Sequence, residues 1–339
     1  MFARALKITQ FFAVFLFFAV YSVQSSAQEH KKYGPHLEGF SYPYPASDYA
    51  FTSQGQNLKM GFMDVSPKLK SNGKTVVLLH GKNFCGATWE QTIAFLSKAG
   101  YRVIAPDQVG FCRSSKPQGY QFSFHQLAEN THALLKEQGV ENAIVMGHSM
   151  GGMLATRFAL MYPEFVDQLV LVNLIGLEDW KAKGVPYVDI DTLYAGELKK
   201  SYEGIKAYQS KYYYGGNWKP EYDKWVDMLY GMYLGEGKEQ VAYNQAQTTE
   251  MLFTQPVVYE FKNLKVPTLL MLGQLDRTAP GANRVSKEVA ATLGNYPVLG
   301  KEIADQIPQA KLLEFPDLGH SPQVQAPEIF HTVLMRELK

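Results

Sequence analysis

From Lys74 onward, short apolar runs alternate with amphipathic stretches of helix length, and few folds accommodate that alternation. The runs at 75–79, 102–105, 143–146, 168–172, 268–272 and 311–315 are rich in Val, Ile and Leu and bounded by turn residues. Strands without polar alternation are buried on both faces, the condition of a parallel sheet between helices. Residues 88–98, 124–137, 150–161, 285–293 and 327–338 supply the helices. Ahead of them, 49–53 and 58–65 flank Gly55-Gln56-Asn57 and predict an antiparallel hairpin. The expected class is α/β, a mostly parallel central sheet with helices on both faces. With 339 residues, 46% of them hydrophobic, the chain can fill one large core.

Three segments stand outside that pattern. Arg4 and Lys7 precede an apolar run at 11–21 that ends in Ser25-Ser26-Ala27, which reads as a cleaved signal peptide over 1–27. The run is shorter than the roughly 20 apolar residues of a membrane span. The expected mature protein is periplasmic or secreted, with no stable membrane insertion. Residues 28–45, polar and carrying Pro35, Pro43 and Pro45, read as a surface lead-in. The core is then expected over 46–173 and 262–339, interrupted by an insertion at 174–261 that holds 12 of the 21 tyrosines and three of the four tryptophans. Such a cap can line a pocket for an apolar or aromatic small molecule, with at least half of its rings assigned to its own small core. Charges balance at a formal +1, which gives no footprint for nucleic acid. The eight histidines show no metal-ligand spacing, so neither metal nor cofactor is implied.

Gly147-His148-Ser149-Met150-Gly151 lies between a strand and a helix, the setting of a nucleophile elbow. A serine on so sharp a turn is strained, and glycines two residues to either side relieve the crowding. A serine hydroxyl needs a base to take its proton and a third group to orient that base. Asp276 follows the run at 268–272, and His320 follows the run at 311–315. Positions past the carboxyl ends of parallel strands face the ligand crevice. Glu178 and Asp179, past the run at 168–172, are the rivals of Asp276.

At these residues the sequence resembles the α/β-hydrolase superfamily, from about Tyr49 to Lys339. The resemblance joins His80-Gly81, Pro106-Asp107-Gln108-Val109-Gly110, the elbow, Gly273-Gln274-Leu275-Asp276 and Gly319-His320, with Ser, Asp and His in that order. It implies an α/β-hydrolase fold with an inserted helical cap, and Ser149, Asp276 and His320 as catalytic residues. It also implies an oxyanion hole made by the backbone N–H groups of Met150 and Lys82, with Asn83 and Phe84 in a substrate loop. Related proteins often read Gly-x-Gly-x-Ser where this chain has Gly110-Phe111-Cys112-Arg113-Ser114. The two loops concerned lie close together in the family, so either a Cys85–Cys112 disulfide or two buried thiols is expected.

The remaining candidates carry plainer expectations. His80 shapes its loop by hydrogen bonding, His148 is packed beside the serine, and Asp107 holds its own turn. His125, His132 and His331 belong to helix surfaces, and the Lys82 side chain is expected to be a solvated loop charge, with a substrate contact as the alternative. The resemblance implies hydrolysis of a carboxylic ester through an acyl-enzyme. The alternatives are carbon–carbon bond hydrolysis, proline iminopeptidase-like amide hydrolysis, and a non-catalytic ligand-binding homologue. Carbon–carbon chemistry ranks below ester chemistry because Lys82-Asn83-Phe84 replaces the glycine- and proline-rich loop common in those relatives.

Overall fold

The hairpin opens the sheet three residues earlier than the sequence predicts. In the computed structural model, which describes residues 29–339, β1 (Ala46–Ser53) and β2 (Gln56–Val65) pair from Ala46↔Met63 to Ser53↔Gln56. Their turn is Gln54-Gly55, both at positive φ (50° and 72°), a geometry whose twist matches that of the strands. The expected signal peptide at 1–27 lies outside the described residues.

Six parallel strands follow: β3 (Thr75–Leu79), β4 (Arg102–Pro106), β5 (Ala143–His148), β6 (Val166–Val172), β7 (Thr268–Gly273) and β8 (Ala310–Phe315). The sheet order is β1-β2-β4-β3-β5-β6-β7-β8, with β2 antiparallel to both of its neighbours. All six expected parallel strands are present, with ends moved by two residues at most. From β3 the chain builds outward first to β4 and then, on the other side, to β5. A crevice therefore opens beyond the carboxyl ends of β3 and β5. Leu79 pairs with Gly147 there, which sets the loop after β3 beside the elbow after β5.

Each strand feeds two cores. Val77, Leu79 and Val145 face α2 (Phe124–Glu137), α3 (Met150–Met161) and α9 (Tyr296–Gln306). Val76, Leu78 and Ile144 face α1 (Glu90–Lys98) and α11 (Pro327–Met335), where Ile93, Leu96, Phe330 and Leu334 are buried. The start of α2 is fixed by Ser123, whose hydroxyl accepts from the Gln126 N–H at 3.0 Å. Two helices of the C-terminal half depart from expectation. The stretch at 285–293 yields only α8 (Lys287–Thr292), capped by Ser286, and α9 has no counterpart in the sequence reading. A short α10 (Pro322–Gln325) precedes α11.

Between 174 and 261 there is no strand, as expected for a helical cap. It comprises α4 (Ile190–Glu197), α5 (Tyr202–Tyr208), a π-helical turn at Gln209–Tyr213, α6 (Asp223–Leu234) and α7 (Lys238–Thr254). Its buried Trp225, Leu229 and Tyr233 belong to the same apolar cluster as the α2–α3 face of the sheet. The lead-in is not the surface segment expected from its polarity. Tyr33 and Leu37 are buried in that cluster, and the Tyr33 N–H donates to the Gly231 carbonyl of α6 at 3.0 Å. Two apolar side chains anchor a segment whose polar neighbours stay wet. Among the described residues, no helix is long and apolar enough to cross a membrane.

Candidate active site

Ser149 occupies the turn between β5 and α3 at φ 57° and ψ −121°, a region that side-chain-bearing residues rarely adopt. Its N–H donates to the Val172 carbonyl at 3.2 Å, and its carbonyl accepts from Gly152 at 2.9 Å, so both flanks of the turn are tied down. A Cβ at Gly147 would overlap the backbone of Gly151, and one at Gly151 the carbonyl of Leu79. The two glycines are therefore demanded by backbone contact as well as by the turn. Ser149 is 4% exposed.

Asp276 and His320 are wholly buried and hydrogen-bonded, Nδ1 to Oδ2 at 2.6 Å. The second Asp276 oxygen accepts from the Thr278 N–H at 2.7 Å. Asn173, at the end of β6, donates its amide to Asp276 Oδ2 at 2.9 Å and accepts from the Gly273 N–H at 2.8 Å. The rivals are engaged elsewhere. Glu178 accepts from Lys183 Nζ and the Gly294 N–H, and Asp179 accepts from the Lys181 N–H and the Tyr259 hydroxyl.

Because an ionised carboxylate only accepts, Nδ1 of His320 carries the proton and Nε2 presents a lone pair. Nε2 is buried without a hydrogen-bond partner, and the Ser149 hydroxyl does not bond to it. The main chain around His320 is held by the cap. Tyr212 and Tyr213, ending the π-helical turn, accept from the N–H groups of His320 and Ser321, each at 3.1 Å. The Tyr213 ring lies 4.9 Å from the imidazole, and His148 Nε2 donates to the His320 carbonyl at 2.8 Å. Sequence reasoning missed Asn173 and Tyr213. Neither stands in a motif, and only the positive φ of Asn173 (37°) and the π-helical register bring them in.

The loop after β3 closes the site. A Cβ on Gly81 would stand 2.9 Å from Ser149 Cβ and 3.4 Å from its Oγ. Lys82 follows directly, and Met150, first residue of α3, has an N–H with no acceptor in its own helix. His80 Nε2 accepts from the Gln108 N–H at 3.0 Å, so its Nδ1–H donates to the Gly81 carbonyl at 2.9 Å; burial lowers its pKa. The expected loop-shaping role of His80 is seen directly. Burial, together with the neighbouring His320, holds the His148 pKa well below the usual histidine value.

Cys85 and Cys112 form a disulfide with Cα atoms 6.1 Å apart. Cys112 sits at φ 44°, which accounts for glycine at this place in related patterns. Asp107 does more than hold its own turn: it accepts from the Gly86 N–H at 2.7 Å, from the Arg113 N–H at 3.1 Å and from the Tyr42 hydroxyl. It thereby ties the β3 loop, its own loop and the lead-in together. Asp107 also lies with both cysteines, but sulfurs joined in a disulfide are not thiolate ligands.

Two expectations for the neighbouring loop residues are corrected. Lys82 is not a solvated charge: its Nζ donates to Glu197 at 3.2 Å and Gln245 at 3.0 Å, and burial lowers its pKa to about 8. Phe84 does not line an open substrate loop, because it is buried against His148 and Tyr213 at centroid distances of 5.7 and 5.3 Å. Asn83 does face a cleft of about 500 Å³ beneath the cap, and its amide donates to the Tyr213 hydroxyl at 2.9 Å.

A sequence model of the family described as alpha/beta hydrolase fold matches residues 74–327, three quarters of the chain. The chain belongs to the α/β-hydrolase fold family. This α/β-hydrolase is 60% identical to a "probable hydrolytic enzyme" from Pseudomonas aeruginosa PAO1, whose crystal structure superimposes with a TM-score of 0.91. That match covers 91% of this chain and 99% of the other. AB hydrolase superfamily protein YisY of Bacillus subtilis is 26% identical over 78% of this chain and 91% of its own length. Lipase 1 of Psychrobacter immobilis is 29% identical over 75% and 73%. The recognised superfamily and the hydrolase class both stand on these matches.

Of the outlying histidines of this α/β-hydrolase, His125 is exposed, and half-buried His132 stacks on Tyr162 at 4.0 Å. His331 contradicts its expected place on a helix surface. It is buried at the α1–α11 contact, bonded to the Thr92 hydroxyl at 3.0 Å and stacked on Phe95, and burial lowers its pKa to about 4.

Proposed function

We propose that this α/β-hydrolase is an exported serine hydrolase that cleaves carboxylic esters through an acyl-enzyme. The observation that carries the reading is the state of His320: Nδ1–H fixed on Asp276 and Nε2 bare, buried and partnerless beside the strained Ser149 elbow. That tautomer is the one a general base requires. In the substrate complex Ser149 Oγ attacks the ester carbonyl while its proton passes to Nε2, a hydrogen bond that in free enzymes often forms only when substrate binds. The Met150 and Lys82 N–H groups receive the oxyanion. The imidazolium, stabilised by Asp276, then protonates the departing alcohol, and water reverses the sequence to release the acid. Similarity to Lipase 1 supports ester rather than amide chemistry. Export by residues 1–27 is supported by the Cys85–Cys112 bridge, since disulfides persist in oxidising compartments.

The test is turnover of aryl esters of increasing acyl length beside a peptide amide and a vinylogous diketone. Ester hydrolysis is expected to dominate and to fall by several orders of magnitude in Ser149→Ala. Faster cleavage of the amide or the diketone would replace the proposed bond type, and an unaffected Ser149→Ala would end the reading.

A further inference from the structure

The cleft beneath the cap has a wall of one sign. Lys82, Lys199, Lys200 and Arg284 all line it, and no carboxylate does, in a chain whose charges otherwise nearly cancel. An acid behind that wall is already engaged. Glu197, buried behind the wall, receives Lys82 Nζ at 3.2 Å, Lys200 Nζ at 2.8 Å and the Tyr233 hydroxyl at 2.6 Å. Burial alone would raise its pKa, but Lys200, Lys82 and Tyr233 hold it down at about 2, so one negative charge faces two ammonium groups. Among the described residues, neither Lys199 nor Arg284 pairs with a carboxylate. The rest of the wall includes Ile205, Leu229 and Leu252, which suit a hydrocarbon body.

The cleft adjoins the reacting groups through two residues. Lys82 follows Gly81, which stands against Ser149, and Asn83 bonds to Tyr213, whose ring lies on His320. Resting on the ester-hydrolase reading, we infer that this cleft selects substrates carrying a carboxylate besides the ester, held by Lys82, Lys200 and Arg284 beneath the cap. A low-dielectric cleft lined by one charge sign concentrates the opposite sign. A guanidinium matches a carboxylate with two parallel hydrogen bonds, and Lys82 Nζ, with three donors and two acceptors engaged, has one N–H left. The lowered Lys82 pKa fits the same picture, because an arriving anion favours the charged ammonium. The carboxylate can belong to the acyl half or the alcohol half of the ester.

Two substrate pairs separate those sources: 4-nitrophenyl hexanoate against the 4-nitrophenyl half-ester of adipic acid, and phenyl butyrate against 4-carboxyphenyl butyrate. In at least one pair, kcat/KM is expected to favour the anionic member at least tenfold. That ratio should fall to about one in Lys200→Gln/Arg284→Gln and stay unchanged in Lys301→Gln, an exposed site elsewhere. Ser149→Ala reads the subsite without turnover: monomethyl adipate binding by calorimetry should weaken at least tenfold when the two charges are removed. Equal or reversed ratios in both pairs, or ratios and binding indifferent to the double substitution, overturn the inference while leaving the ester-hydrolase reading intact. Failure of every ester, with charge-dependent binding kept in Ser149→Ala, overturns the reading and retains the subsite.

Discussion

Asp276, Glu178 and Asp179 all follow carboxyl ends of strands, and what separates them is what their oxygens already hold. Asp276 spends one oxygen on His320 and Asn173 and the other on Thr278, whereas both rivals hold the chain around the start of the cap. Asp276→Asn should therefore lower kcat by about 10³–10⁴-fold, by releasing the Nδ1–H tautomer, while Asp179→Asn stays within a few-fold of the parent. Steady-state rates on one aryl ester check this, and a comparable loss in Asp179→Asn would reassign the orienting acid. Ser149, His320 and Asp276 were legible because each sits in a short motif past a strand. Asn173 and Tyr213 were not, since their importance comes from a left-handed backbone angle and a π-helical register that no local pattern announces. Lys82 misled for a different reason. A lysine in a loop is usually wet, and only the folded cap supplies Glu197 and Gln245 to bury it.

Strands were the most legible elements, because buried parallel strands write themselves as uninterrupted Val, Ile and Leu runs. Helices ended less predictably. Pro297 and Gly300 disguised α9, although proline is well placed in a first helical turn. The lead-in hid its role because Tyr33 and Leu37 are two apolar residues among polar ones, and the partner of Tyr33, Gly231 in α6, lies about two hundred residues away. Between the loops that follow β3 and β4, the Cys85–Cys112 bridge closes a separation of 27 residues and joins the Asp107 bonds in fixing the β3 loop. Reduction is expected to cost about 3 kcal/mol of stability, lowering the melting temperature by several degrees. Loss of ester turnover should precede unfolding as the β3 loop loosens. Differential scanning fluorimetry and activity, each with and without reductant, test this; identical melting and activity in both would show that the bridge constrains neither the fold nor the site.

At the scale of the whole molecule, the reversal of strand order at β3 places two loops in one crevice, and the cap completes what the sheet begins. One apolar cluster runs from the lead-in through the sheet to α6, and the cap's own carbonyls hold the His320 loop. Architecture was readable from the alternation of elements; the cap's contribution was not, because 174–261 shows composition without the periodicity that would orient its faces. The central claim is that this assembly makes Ser149 a nucleophile. It is tested most directly by treating the folded protein with a fluorophosphonate and mapping the adduct by peptide mass spectrometry. One equivalent on Ser149, absent from Ser149→Ala and strongly slowed in Asp276→Asn, is the predicted result. A folded protein that hydrolyses esters yet carries no adduct at Ser149 would contradict the account.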